Sequence, residues 1–151
     1  MTYIDSSALI PLYVPERFSK AARSVVQDAG QVPFTALHQL EIPNAFELLV
    51  GRGRITRDEC RAILQQMEDD IESQRLTPVA LDLERVFVEA GDLSRLHMAK
   101  FLARSLDLLH VAAAHIALCK TFVSADDRQL AVAKASGLSP VDIKRRRRRR
   151  S

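Results

Sequence analysis

The chain alternates between short apolar β-type runs and amphipathic helical patterns, and this alternation is the feature that most constrains its fold. The predicted strands cover residues 2–5, 31–35, 121–124 and 140–143, and 77–81 is a further extended candidate. The predicted helices cover residues 6–13, 17–29, 37–50, 56–74, 84–102, 105–119 and 126–136. Strands separated by helices are typical of parallel sheets, because parallel neighbours need a long crossover connection. We therefore predict an α/β fold in which helices flank a short central parallel sheet.

Length and composition are those of one globular domain, which we assign to residues 1–143. The chain has 151 residues, of which 47% are hydrophobic and 27% are charged, so it is long enough to bury a core. No apolar run approaches the length of a membrane span, and Asp5 interrupts the N-terminus before any signal-like stretch. Cys60 and Cys119 have no ligand-like spacing, which favours reduced thiols. These features predict a cytoplasmic protein with no membrane association.

The net charge of +3 comes from the C-terminal end of the chain. Lys144 and the six arginines from Arg145 to Arg150 carry seven positive charges, and without them 22 − 7 = 15 basic residues face 19 acidic ones, a net charge of −4. Such a run repels itself, so we predict a disordered polybasic tail at 144–151. Two interpretations stay open: the tail strengthens nucleic-acid binding through counterion release, or it is a frayed end without a role.

Four acidic residues are the candidate chemical centre. Asp5 and Asp126 directly follow predicted strands, where open α/β sheets form their sites. Glu41 and Asp107 lie in strongly apolar helical segments. Carboxylates repel one another, so a fold that gathers all four needs a divalent cation between them. Taken singly, each has another explanation: Asp5 and Asp126 as helix caps, Glu41 and Asp107 on an exposed face or in a first helical turn.

Four segments of the chain surround the four acids: YIDSSAL at 3–9, HQLEIPNA at 38–45, RSLDLLHVAAA at 104–114 and FVSAD at 122–126. They resemble the motifs of PIN-domain ribonucleases, and the branch they most resemble is the VapC-type toxins of bacterial toxin–antitoxin pairs. No single motif is specific, but the four occur in the family's order and span residues 2–143. The resemblance therefore implies a PIN-like domain.

The resemblance also implies a site and a reaction. Asp5, Glu41, Asp107 and Asp126 would bind one or two Mg²⁺ or Mn²⁺ ions, which suit oxygen ligands, and a metal-activated water would cleave an RNA phosphodiester in line. The doublet leaves Asp126 or Asp127 as the fourth acid, and Asp126 is favoured because it lies nearer the strand end.

The resemblance also implies two auxiliary site residues and two protein partners. Ser7 would orient a carboxylate or a metal-bound water, or else only start a helix. Arg104 would contact the substrate phosphate, or else be an exposed arginine without a role. The implied partners are a second copy of the chain, with both acidic pockets in one groove, and a small antitoxin that fills this groove.

Histidines are not expected to bind the metal. His110 and His115 are five residues apart and do not share a helix face, so we predict that His110 is a packed helix residue. His38 precedes Glu41 by three residues and is a candidate hydrogen-bond partner for it.

Two alternative functions remain. A receiver-like phosphoryl-transfer domain would use Asp5. It would also require a second acid near Asp5 or a lysine at the end of a later strand, and the sequence has neither. A non-catalytic binding module would use the acids as helix caps and the tail for nucleic acid. It predicts no stabilisation by metal, whereas the nuclease predicts it.

Overall fold

All strand pairs in the fold are parallel. The computed structural model describes residues 1–145. Its strands are β1 (Thr2–Ile4), β2 (Val32–Phe34), β3 (Leu76–Pro78), β4 (Thr121–Ser124) and β5 (Ser139–Asp142). β4 lies between β1 and β5 in a three-stranded sheet, and β2 pairs with β3 in a two-stranded one. The predicted α/β class with a short parallel sheet is confirmed, with the sheet divided into these two parts.

Seven α-helices connect the strands within residues 1–145. They are α1 (Ser6–Tyr13), α2 (Ser19–Ala29), α3 (Ala36–Gly51), α4 (Arg57–Glu72), α5 (Leu83–Phe101), α6 (Ser105–Ile116) and α7 (Asp127–Ala135). α6 ends three residues before the predicted Cys119, because Leu118 adopts a positive φ of 56°. α3 continues through Pro43.

His38 joins the two parts of the sheet. Its Nδ1 accepts a hydrogen bond from the backbone N–H of Thr35 (3.0 Å), and its Nε2 donates to the carbonyl of Ile4 at the end of β1 (2.8 Å). This pattern needs a neutral imidazole, and burial lowers the pKa of His38 to about 3. The prediction that His38 bonds Glu41 is wrong, since both ring nitrogens are used by backbone groups and by Thr35.

The core lies on both faces of the sheet. Successive strand side chains point to opposite faces, so Ile4 packs with the helices α1 to α4 while Tyr3 packs with α5 to α7. On β4, Val123 likewise packs on the side of α1 to α4, and Phe122 packs on the side of α5 to α7. The helices therefore cover both faces and leave the strand ends as the open edge.

The chain beyond β5 enters a short 3-10 helix, Ile143–Arg145. Lys144 pairs with Asp127 (2.9 Å) and Arg145 pairs with Asp142 (3.2 Å). The rest of the predicted polybasic tail, 146–151, lies outside the described residues. No helix within residues 1–145 has the length and apolar character that a bilayer span requires.

Candidate metal centre

A cavity of about 320 Å³ opens at the carboxyl ends of β1 and β4. Its lining includes all four predicted acids, which are Asp5, Glu41, Asp107 and Asp126. Each comes from a different place: the end of β1, the middle of α3, the first turn of α6 and the start of α7. The fold thus gathers onto one surface four carboxylates that are far apart in sequence.

Asp5 is the most deeply buried of the four acids, with 4% of its surface exposed. It caps α1, and its Oδ1 accepts hydrogen bonds from the hydroxyl of Ser7 (2.8 Å) and the backbone N–H of Ala8 (3.3 Å). Burial raises the pKa of Asp5 to about 6, although His110 and the hydrogen bonds from Ser7 and Ala8 oppose the rise. A buried carboxylate with a raised pKa is one that a nearby cation would stabilise.

Ser7 ties the ends of the two strands together. Its hydroxyl donates to Asp5, which follows β1, and accepts from the backbone N–H of Ala125, which follows β4 (3.1 Å). The structure therefore places Ser7 on a carboxylate of the cavity, as well as in the first turn of α1.

Glu41 is held by two buried partners. Its Oε1 accepts a hydrogen bond from Nε2 of His110 and another from the hydroxyl of Ser6 (2.9 Å). The hydroxyl of Tyr3 bonds the other ring nitrogen of His110 (2.8 Å). Burial would raise the pKa of Glu41, but the hydrogen bond and charge of His110, together with Ser6, hold it below its ordinary value.

His110 is a packed helix residue, as predicted, with 2% of its surface exposed. Its contact with Glu41 was not predicted. One signal was present in the sequence: His110 follows Asp107 by three residues in a helix, so both lie on the face that turns toward the cavity.

Asp107 and Asp126 both line the cavity and interact electrostatically with each other. Oδ2 of Asp107 accepts the backbone N–H of Arg104 (3.1 Å), and Oδ1 of Asp126 accepts that of Gln129 (2.9 Å). Burial raises the pKa of Asp107, opposed by the Arg104 N–H, and the negative charges of Asp126 and Glu41 raise it further. A bound cation would favour the charged form of Asp107.

Gln129 holds the segments that carry Asp107 and Asp126 together, and it was not among the predicted site residues. It is fully buried, its Nε2 donates to the backbone carbonyl of Asp107 (3.1 Å), and its Oε1 accepts from Ser124 (2.7 Å). The start of α6 is thereby joined to the end of β4. The sequence has no local signal for this contact, because Gln129 and Asp107 are 22 residues apart.

The remaining predicted residues lie outside the cavity lining. Asp127 is exposed, and its hydrogen bond to Lys144 lowers its pKa, so of the doublet it is Asp126 that faces the cavity. Arg104 is exposed at the start of α6, where its backbone bonds Asp107.

The donor set fits a hydrated Mg²⁺ or Mn²⁺ ion. Within residues 1–145, Glu41, Asp107 and Asp126 each keep one carboxylate oxygen that accepts no hydrogen bond. In the same part of the chain, no group of three or more His, Cys, Asp or Glu side chains is arranged so that it could hold a metal ion by itself. Mg²⁺ usually binds one or two protein carboxylates and keeps several waters, so it does not need such a group.

Comparisons with known proteins give a likeness of fold. No protein-family model matches the sequence, and no curated protein sequence matches it. The crystal structure of FitAcB from Neisseria gonorrhoeae matches with a TM-score of 0.68 and 13% identity, over 96% of this chain and 99% of that one. PAE2754 from Pyrobaculum aerophilum matches with a TM-score of 0.59 and 16% identity, over 95% of this chain and 89% of that one. At these identities the likeness shows the fold alone, and the chain has the PIN-like α/β fold predicted from its sequence.

Proposed function

We propose that the protein is an Mg²⁺- or Mn²⁺-dependent endoribonuclease and the toxin of a bacterial toxin–antitoxin pair. The observation that carries the proposal is the meeting of four carboxylates from four separate elements in one cavity, three of them with a free oxygen. RNA carries a negative charge on every phosphate, so it is repelled from such a cavity unless a cation is bound there.

Each acid has a distinct place in the proposed reaction. A metal ion held there would provide an activated water and neutralise charge on the scissile phosphate. Asp107 and Asp126 would hold the metal through their free oxygens, while their other oxygens fix them to the starts of α6 and α7. Glu41, which is fixed by His110 and Ser6, would face them from α3. Asp5, which is fixed by Ser7, would add the fourth negative charge to the site.

The partners belong to the same proposal. An acidic cavity beside a helical face suits a cationic side chain from an antitoxin, which would block RNA by replacing the metal. A homodimer would place two such cavities in one groove. Its RNA substrate would place the protein in the cytoplasm.

A non-catalytic module remains the second candidate, because Asp5, Asp107 and Asp126 all make the helix-capping hydrogen bonds that it requires. The two functions predict different effects when aspartate is replaced by asparagine at these positions. Asparagine caps a helix about as well as aspartate, but it is a poor ligand for Mg²⁺.

The deciding experiment is cleavage of a panel of single-stranded RNAs in Mn²⁺ and in EDTA. Asp107→Asn and Asp126→Asn should remain folded and lose cleavage by 100-fold or more, on the order of other lost catalytic groups. Asp127→Asn, next along the chain but outside the cavity, is the matched control and should cleave like the unaltered protein. Cleavage that persists in EDTA or in Asp107→Asn would reject the metal-dependent mechanism.

A further inference from the structure

We infer that the cavity contains, beside its acids, a subsite for one RNA nucleobase, in which Asn44 reads the edge of the base. The inference rests on the proposed function, since it concerns the substrate of the same site. It makes Asn44 a residue that determines where the RNA is cut.

Asn44 lies next to the acids, and its side chain has no hydrogen-bond partner among residues 1–145. It follows Glu41 by three residues in α3, so the two side chains are neighbours on one helix face, and both line the cavity. Asn44 is exposed, and its amide makes no hydrogen bond to any other residue among 1–145. Its donor and its acceptor are therefore both available to a ligand.

The lining of the cavity is not acidic alone. It also includes aliphatic side chains from three helices, which are Ile10, Ala45, Leu48 and Leu106. Leu48 is 48% exposed and Leu106 is 38% exposed, so both present apolar surface to the cavity. A cavity lined by carboxylates and also by apolar side chains with a single amide suits a ligand that has both a charged and an uncharged part.

A nucleotide has both parts. Its phosphate needs the cation held by the acids, whereas its base is a flat, neutral ring with hydrogen-bonding groups only at its edge. Proteins that read single-stranded RNA pack against the faces of unstacked bases and bond their Watson–Crick or Hoogsteen edges. Aliphatic contacts from Leu48 and Leu106 would replace the aromatic stacking for which the lining has no side chain.

The amide of Asn44 restricts which base fits. Asparagine offers one donor beside one acceptor, and its usual partner is adenine, whose N6 donor and N7 acceptor lie side by side on the Hoogsteen edge. An aspartate at the same place would offer acceptors only, so it would favour guanine, whose N1–H and N2–H groups are adjacent donors on the Watson–Crick edge that single-stranded RNA leaves open. The base preference should therefore change, and not merely weaken, when the amide becomes a carboxylate.

The test is to sequence the products cut in Mn²⁺ from a single-stranded RNA pool of random sequence. The variants are Asn44→Ala and Asn44→Asp, both on an exposed side chain. Gln39→Glu is the control, because it adds a charge to an exposed position of α3 that does not line the cavity. Equal melting temperatures would show that all four proteins are folded.

The expected result is a preference of about tenfold for adenine at one position beside the cut, the size of one bidentate contact. Asn44→Ala should abolish it, Asn44→Asp should shift it toward guanine, and Gln39→Glu should keep it. If the unaltered protein cuts but Asn44→Ala and Asn44→Asp keep its base profile, the inference is overturned while the proposed function stands. If the unaltered protein cuts no RNA in any metal, the proposed function fails and the inference fails with it.

Discussion

The buried imidazole of His110 donates a hydrogen bond to the carboxylate of Glu41, although 69 residues separate them along the chain. Tyr3 and Ser6 complete this group, so each polar atom of the imidazole has a partner. The arrangement fixes Glu41 against the wall of the cavity and leaves its second oxygen open. His110 is a positioning residue in this account, because it acts on the site through Glu41.

Replacing His110 with alanine should destabilise the protein by about 2–4 kcal/mol, since it leaves a void and removes the hydrogen bonds of the imidazole to Tyr3 and Glu41. Urea unfolding in EDTA measures the loss. In a Glu41→Gln background the same replacement should cost at least about 1 kcal/mol less, because part of the interaction is already gone. Strictly additive losses would mean that His110 does not hold Glu41.

Asp5 should make the metal-free protein less stable as the pH rises. Its folded pKa of about 6 lies above that of an unfolded aspartate, so the folded state binds the extra proton. The stability that Asp5 contributes is complete below about pH 4 and is lost as the pH rises through 6. Relative to Asp5→Asn, the unaltered protein should lose about 2–3 kcal/mol between pH 4 and pH 7 in EDTA. Parallel pH profiles for the two proteins would contradict this assignment.

Asp107→Asn should have opposite effects with and without metal. In EDTA it should stabilise the fold by up to about 1 kcal/mol, because it keeps the cap and removes repulsion from Asp126 and Glu41 in a partly solvated place. In Mn²⁺ it should no longer gain stability, whereas the unaltered protein gains about 1.4 kcal/mol for each tenfold rise in metal above the dissociation constant. Melting scans across a Mn²⁺ series provide both values. An equal metal-induced shift in both proteins would place the ion elsewhere.

Gln129→Leu should remove the support beneath Asp107 and Asp126. The backbone carbonyl of Asp107 and the hydroxyl of Ser124 would lose their shared partner, at a cost of about 2–3 kcal/mol. The exposed Gln65, whose side chain donates a hydrogen bond to Asp69 in the same helix, is the matched control, and Gln65→Leu should cost less than about 0.5 kcal/mol. Chemical denaturation compares the two, and equal losses would argue against the buried role of Gln129.

The sequence predicts the elements and the open edge of the sheet because local patterns specify them. Asp5 and Asp126 follow apolar runs, and the ends of parallel strands meet at one edge. The roles of His110 and Gln129 depend on contacts with Glu41 and Asp107 across 69 and 22 residues, which no local pattern specifies. For His38 a local pattern gave a wrong prediction. Its spacing of three residues favours a hydrogen bond to Glu41, but the fold brings its Nε2 to the carbonyl of Ile4.

The most direct test of the metal centre is the crystal structure of the unaltered protein in Mn²⁺, with anomalous scattering recorded at the manganese edge. The account predicts a manganese peak in the cavity, within about 2.0–2.3 Å of a carboxylate oxygen from Asp107, Asp126 or Glu41, with waters filling the remaining positions. A cavity without a manganese peak at millimolar Mn²⁺, or a peak bound only at the exposed Asp127, would contradict it.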